Sequence, residues 1–483
     1  MDKVNTFAVL LAFVFINTGC GAFLQSVEKD KELGSKTARQ VETDMGIYRD
    51  AAGTRYLNRL GERLVKVNPD QTFDYQFAIV DQYVPNAFAL PGGYIYVSRG
   101  LLALTNSEDE LAGVVGHEII HVSQRHSARQ MAKARVPTLF ALPGALVGGV
   151  INENLGKLLM APAAMIGGAY LATHSRQDEF ESDRLGQQLA AAAGYDPAEL
   201  APILARLEAF SEAYTGQRRI PGFFDTHPST PDRVDRVARD AGDIAWQRQP
   251  GVTPGPAGYL KSLDGLLVGE DPAMGVIQGH NFLHPVLDYF IAFPRDWKAL
   301  NTRQALFAVA PQEDGLIAMG VAGEGTDPDL AADQFKNALY KDYRVEPTDS
   351  KSVKIGNLPA HLLTYTDTSG KEPMHMHFLW VAYRGLIYQF IGLAPERYRP
   401  LLRETALSFR PLSAKEKASI QETRLRVVPA RSGESLQQLS KRTGNVWNVK
   451  ITAVINGLDA GQKLENEQLI KVAVTQPFSG QVQ

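Results

Sequence analysis

A chain of 483 residues exceeds what a single hydrophobic core usually holds, so several domains are expected. Its composition, 44% hydrophobic and 21% charged, is that of an ordinary globular protein. The formal net charge of -3, without any long block of like charge, argues against nucleic acid as a partner, because phosphate binding needs a concentrated basic face.

The chain opens with a short apolar run, 7–16, followed by Asn17, Thr18, Gly19 and Cys20. A short apolar stretch ended by small residues reads as a secretory signal rather than a membrane span. Cys20 is the only cysteine, so no intramolecular disulfide can form. A cysteine placed directly after the small residues resembles a bacterial lipobox. That resemblance implies cleavage before Cys20 and lipidation on it, although Asn17 stands where an aliphatic residue is usual.

Residues 27–65 carry apolar positions among charges at helical spacing. A strand pair follows, one strand at 73–80 and the other around 95–97, after Pro91-Gly92-Gly93. Ser107 with Glu110 three residues on forms a capping-box pattern, which opens a helix expected to run to about Arg135, because Val136 precedes Pro137. Residues 137–172 hold two apolar blocks separated by Asn152, Glu153, Asn154 and Lys157. Each is shorter than the ~20 residues of a spanning helix, which favours buried helices or an apolar lid over a hairpin dipping into a bilayer. Residues 175–194 read as a helix capped by Ser175 and stopped by Gly194, and Asp196-Pro197 starts the next. Proline and glycine at 247–258 suggest the end of a domain. From about 268 strand patterns appear, at 289–293, 305–309, 317–321, 361–365, 375–383 and 386–393, with helices expected over 330–339 and 395–408. This is a separate α+β unit. A charged stretch, 413–424, reads as a linker. The last module, 425–474, reads strand, helix, helix, strand.

The chemistry lies in His117-Glu118-Ile119-Ile120-His121, the pattern H-E-x-x-H. A helix turns about 100° per residue, so residues four apart sit nearly above one another and both imidazoles can face one metal ion. Glu118 lies beside them, within reach of a water on that metal. Zinc lowers such a water's pKa towards ~7, and a carboxylate can take its proton and pass it to a leaving amine. A catalytic zinc needs three protein ligands, so a third must exist. His126, five residues after His121, is rotated off the metal face and suits a supporting role. The metzincin pattern wants glycine at 124 and histidine at 127, where Gln124 and Ser127 stand. Glu179 and Asp183, four apart on the later helix, make the better candidates. One would be a carboxylate ligand and the other an acid that orients a ligand histidine.

Together with Thr226-His227-Pro228, Arg233 and the run 86–93, which begins at Asn86, these motifs resemble family forty-eight of the metallopeptidases. That group includes the HtpX-like and CAAX prenyl proteases and the periplasmic BepA-like proteins. The resemblance covers about residues 30–245. It implies one Zn2+ per subunit bound by His117, His121 and Glu179, with Glu118 as general base and Asp183 supporting a ligand. It further implies that His227 lies close to the zinc, stabilising the oxyanion or closing the open position at rest. Arg233 would hold substrate or His227. Asn86 and the strand after it would bind substrate, since an edge strand near the zinc can pair with an extended peptide. A plain hairpin is the alternative for that segment. The chain lacks the helical repeats of BepA-like members and the membrane spans of HtpX-like members. Behind the peptidase stand a unit faintly similar to PsbP-type sheet domains and an end similar to LysM domains, at Ser432-Gly433-Glu434-Ser435-Leu436 and Val454-Ile455-Asn456-Gly457-Leu458.

The expected architecture is therefore α+β. It comprises a signal peptide at 1–20, a mainly helical gluzincin domain with a small edge sheet at 21–260, an α+β sheet domain at 268–412 and a LysM-like module at 425–476. The expected function is a zinc-dependent endopeptidase of the cell envelope, facing the periplasm and anchored to the outer membrane through lipid on Cys20. Its substrates would be misfolded or stalled envelope proteins. The alternative is an assembly chaperone or binding protein whose zinc site is latched by His227. For the LysM-like end, peptidoglycan binding and a simple structural cap stay open, and peptidoglycan hydrolysis is a third reading.

Overall fold

The computed structural model describes residues 26–133, 174–213, 222–228, 232–303, 305–368 and 372–480. Cys20 and the apolar stretch 137–172 lie outside the described residues. No described helix is long and apolar enough to cross a membrane.

Helix α1 (Val27–Asp44) starts at Ser26, whose hydroxyl accepts from the Lys29 amide. Helix α2 (Ala51–Val67) starts at Asp50, whose carboxylate accepts from the Ala52 and Gly53 amides. The sequence pattern suggested one helical region here. The chain instead turns at Gly46, where φ is 75°, and Ile47 bridges to Val80. Glycine takes that left-handed conformation without a side-chain clash.

The expected strand pair is a three-stranded sheet. Strand β1 (Gln76–Val80), β2 (Ala87–Leu90) and β3 (Tyr94–Ser98) lie in the order β1-β3-β2. β1 runs parallel to β3, and β2 pairs antiparallel with β3. β2 thus lies at the sheet edge. Its run of four residues, closed by Pro91, is too short to show a period of its own.

Helix α3 (Arg99–Leu104) leads into α4 (Glu108–Ser123), every residue of which is buried. Ser107 caps α4 by accepting from the Glu110 amide, but the Glu110 carboxylate accepts from Asn106 rather than Ser107. The helix expected to reach residue 135 breaks at Gln124, and a new one, α5 (His126–Lys133), begins. Arg125 between them has φ 56°, and its Nε donates to Asp30 Oδ2 at 2.7 Å, so a tertiary ion pair accompanies the break. Helix α6 (Arg176–Ala192) carries a reciprocal capping box between Ser175 and Asp178, and Gly194 follows its end at φ 87°. Helices α7 (Leu200–Ala213), α8 (Phe223–Thr226), α9 (Arg233–Gly242) and α10 (Gly255–Ser262) complete this part. The proline and glycine run at 247–258 is no boundary to the packing. Tyr259, Leu263, Leu266 and Leu267 beyond it are buried in the same core as Leu111, Val115 and Ile119 of α4.

The middle of the chain is a seven-stranded sheet beside a four-stranded one. The strands foreseen in the sequence are present, for example at Leu358–Asp367, Met374–Tyr383 and Leu386–Pro395. Val276–Gln278, Asn281–His284, Lys298–Asn301 and Asp349–Ile355 are further strands that the pattern did not reveal. One face packs Trp297, Phe390 and Phe409 together, and the other packs Phe378 and Trp380 near Ala332 and Leu339 of helix Pro328–Tyr343.

The stretch 413–424, read as a linker, is ordered. It forms helix Ala414–Ser419, capped by Ser413 and Glu416, and the start of strand Gln421–Pro429, where Glu422 and Arg424 pair in the interior. The terminal elements run strand, helix, helix, strand, as expected: Gln421–Pro429, Leu436–Thr443, Val449–Asn456 and Leu469–Pro477. The first of these strands also pairs backward along the chain. Gly265 N donates to Leu425 O and Val268 N to Thr423 O, at 2.8 and 2.9 Å. Leu425, Ile451, Ile455 and Ala473 enter the core that surrounds α4. Lys471 is fully buried, and its Nζ donates to Ala103 O (2.7 Å) and Thr105 O (2.8 Å) just before α4.

Candidate metal centre

The site forms where α4 crosses α6. The crossing is close because glycines meet there. A Cβ on Gly186 would lie 2.8 Å from the His117 amide nitrogen, and one on Gly116 would lie 3.0 Å from Gly186 O. This approach brings Glu179 and Asp183, one turn apart on α6, against His117 and His121, one turn apart on α4. His227, at the C-terminal end of α8, closes the group.

One ligating atom from each of His117, His121, Glu179 and His227 lies within 4.8 Å of every other. His117 Nε2 and His121 Nε2 are 2.9 Å apart, and His117 Nε2 is 3.3 Å from His227 Nδ1. Glu179 Oε1 lies 3.3 Å from His121 Nε2 and 3.1 Å from His227 Nδ1. Four buried groups with nitrogen and oxygen donors converging on one point match the donor set zinc takes. The second ring nitrogens are held from outside. His117 Nδ1 lies 2.9 Å from Asp183 Oδ1, and His121 Nδ1 lies 3.1 Å from His126 Nδ1. His126 Nε2 in turn lies 3.1 Å from Glu181 Oε2. Such outer contacts fix ring orientation and leave Nε2 pointing inward.

Glu118 is fully buried, and neither carboxylate oxygen has a hydrogen-bond partner among the described residues. His227 Nε2 lies 3.4 Å from its Oε1. A carboxylate left so bare inside a protein is costly unless a cation or water completes its surroundings. Burial raises its pKa, an effect that His227 and His117 oppose. Burial also acts on Glu179, but His227, the contact with His121 and Arg233 outweigh it and hold Glu179 well below the usual carboxylate range. Burial, then the neighbouring His174 and His117, keep His121 well below its usual value, hence neutral and able to ligate. For His227 burial lowers the pKa, but Glu179 and Glu118 outweigh it and raise it. The two carboxylates thus call for positive charge between them, which a metal ion supplies.

Arg233, expected at substrate or at His227, is placed differently. Its Nε and Nη2 fork onto Asp183 at 2.8 Å each, and its Nη1 lies 2.9 Å from Glu179 Oε2. It is buried at 1% exposure, so it anchors the two α6 carboxylates. Asn86 is also buried. Its backbone amide donates to Ser98 Oγ, while neither polar atom of its side chain has a partner among the described residues. Two residues the sequence reading passed over belong to the site. Phe223 stacks on His227 with ring centres 4.4 Å apart, and His174 stacks on His121 with ring centres 3.9 Å apart. A histidine directly before the α6 cap, five residues ahead of Glu179, was the available signal for His174.

Helix pair, H-E-x-x-H and a carboxylate from the second helix define the class of zinc-type hydrolase centres in which one helix supplies two ligands and the base. Residues 51–241 match the family model described as Peptidase family M48. The β-barrel assembly-enhancing protease of Escherichia coli is 30% identical over 242 residues, 49% of this chain and 48% of that protein. The mitochondrial metalloendopeptidase OMA1 of Schizosaccharomyces pombe is 30% identical over 188 residues, 38% of this chain and 52% of that protein. The chain thus spans about half the length of these curated relatives. The solution structure of PsbP from the cyanobacterium Synechocystis aligns with 30% of the chain at 12% identity and a TM-score of 0.24.

Proposed function

We propose that this chain is a zinc-dependent endopeptidase of the bacterial cell envelope that cuts unfolded or misassembled envelope proteins. The observation that carries the reading is the buried group of His117, His121, Glu179 and His227 with the bare carboxylate of Glu118 beside it. His117, His121 and Glu179 hold the metal, and His227 closes the centre at rest. When bound there, zinc supplies Lewis acidity toward the scissile carbonyl and the attacking water. Glu118 takes the water's proton on a carboxylate oxygen and delivers it to the leaving amine nitrogen. Asp183 holds the His117 ring through Nδ1, and Arg233 holds Asp183 and Glu179.

An extended peptide would add beside β2, the edge strand, once the segments covering it move, and the buried side-chain amide of Asn86 would then meet its backbone. The segment that brings His227 to the centre also touches this strand end, since Phe223 N donates to Pro85 O at 3.2 Å. Moving that segment would free the peptide edge and the metal together, so substrate entry and unlatching are one event. The envelope address, the lipid anchor on Cys20 and a LysM-like, peptidoglycan-binding end extend the same reading. The lipobox-like start supports the anchor, the similarity to the β-barrel assembly-enhancing protease supports the envelope address, and the motifs at 432–436 and 454–458 support the LysM-like end.

The test is Glu118→Gln. Zinc content by metal analysis should equal wild type, while cleavage of casein should fall by about 10²–10⁴-fold, the usual worth of a general base. Full activity in that variant would remove Glu118 from the mechanism. Full rescue of a deletion strain by the inactive variant would favour the chaperone role instead.

A further inference from the structure

His174 is 6% exposed, and its Nδ1 is buried with no hydrogen-bond partner among the described residues. Its ring lies flat on His121, with centres 3.9 Å apart and planes 29° apart, and 5.3 Å from His227. Its backbone amide donates to Thr226 O at 2.9 Å, which ties it to the segment bearing His227. His126 is farther off, 6.4 Å between ring centres. The ligand group itself is complete without His174.

Stacking alone does not call for a histidine here. Any aromatic ring could lie on His121. A buried ring nitrogen without a partner is unfavourable, and a native site keeps such a group where an incoming molecule satisfies it. We propose that His174 is a substrate-binding residue whose free ring nitrogen hydrogen-bonds the backbone of a peptide entering the metal centre. The neighbours fit that role. His174 stands beside a metal-ligand ring and is bonded to the very segment that substrate must displace. The ring thus senses both the metal side and the latch side of the entering chain. This inference rests on the peptidase reading for its ligand class.

The experiment uses the full chain loaded with zinc, with Glu118→Gln as background for binding and the active protein for kinetics. The probe is fluorescein-labelled casein. His174→Phe, which keeps the stack and removes the nitrogens, should weaken binding by about 3- to 10-fold, the worth of one hydrogen bond. KM should rise by a similar factor with kcat changed less, while zinc content and competition with a chelator stay at wild type. His174→Gln should recover most of the binding. Wild-type binding by His174→Phe overturns the proposal. So does loss of zinc in that variant, because it would move His174 into the metal's own support. If casein binds in a His174-dependent way but wild type never cuts it, the substrate contact stands and the peptidase reading falls.

Discussion

At the scale of single residues, Arg233 carries more of the site than its distance from the reaction suggests. Its fork neutralises Asp183, and its third nitrogen reaches Glu179, all in the interior. Removing one partner of a buried ion pair leaves an uncompensated charge and costs about 3–5 kcal/mol. Arg233→Leu should therefore lower the melting temperature sharply and weaken zinc binding, read by calorimetry and chelator competition. Arg233→Lys keeps the charge but loses the planar fork, so it should fall between the two. Burial pulls the Asp183 carboxyl up, but Arg233 and the contact to His117 outweigh it and hold it below its usual value. Metal removal belongs at this scale too. Binding to the folded state alone stabilises by about 2.7 kcal/mol at a hundred times the Kd. Treatment with a chelator should lower the melting temperature, and added zinc should restore it.

At the scale of elements, the α4–α6 crossing decides whether the ligands meet. Gly186→Ala would drive a methyl group against the His117 backbone, where the available gap is 2.8 Å. Overpacking of this kind costs about 1–3 kcal/mol, and separating the helices would move Glu179 from His117 and His121. The expected result is a lower zinc affinity with helix content by circular dichroism unchanged. A wild-type affinity would show that the crossing has slack. The cap of α6 is a milder lever. Ser175→Ala should cost about 1 kcal/mol in thermal stability, because the Asp178 amide loses its acceptor.

At the scale of the whole molecule, the end of the chain stabilises the segment that carries the site. Lys471 donates to two carbonyls at the entrance to α4, and Leu425, Ile451 and Ile455 share that helix's core. Burying a leucine or isoleucine contributes about 1.5–3 kcal/mol. Lys471→Ala leaves two buried acceptors without a donor, at about 1–3 kcal/mol. It should lower the melting temperature of the zinc-binding part as well as of the terminal elements, in one transition. Two separate transitions would show that the terminal elements are independent of the rest.

Much of the centre was legible in the chain because helix periodicity is local. The four-residue spacings of His117 with His121 and of Glu179 with Asp183 follow from 3.6 residues per turn. The caps at Ser107 and Ser175 follow from side chains that reach their own backbone. The chain also sufficed to order the elements of its end. Only the tertiary structure decided what long-range contacts decide. It placed Arg233 on two carboxylates, broke the helix at Arg125 where an ion pair with Asp30 forms, and set β2 at a sheet edge. It also packed the last strand against the first core and laid His174 on His121. None of these has a period or a spacing, because each depends on residues far apart in sequence meeting across a core, and burial there sets which polar groups must be paired.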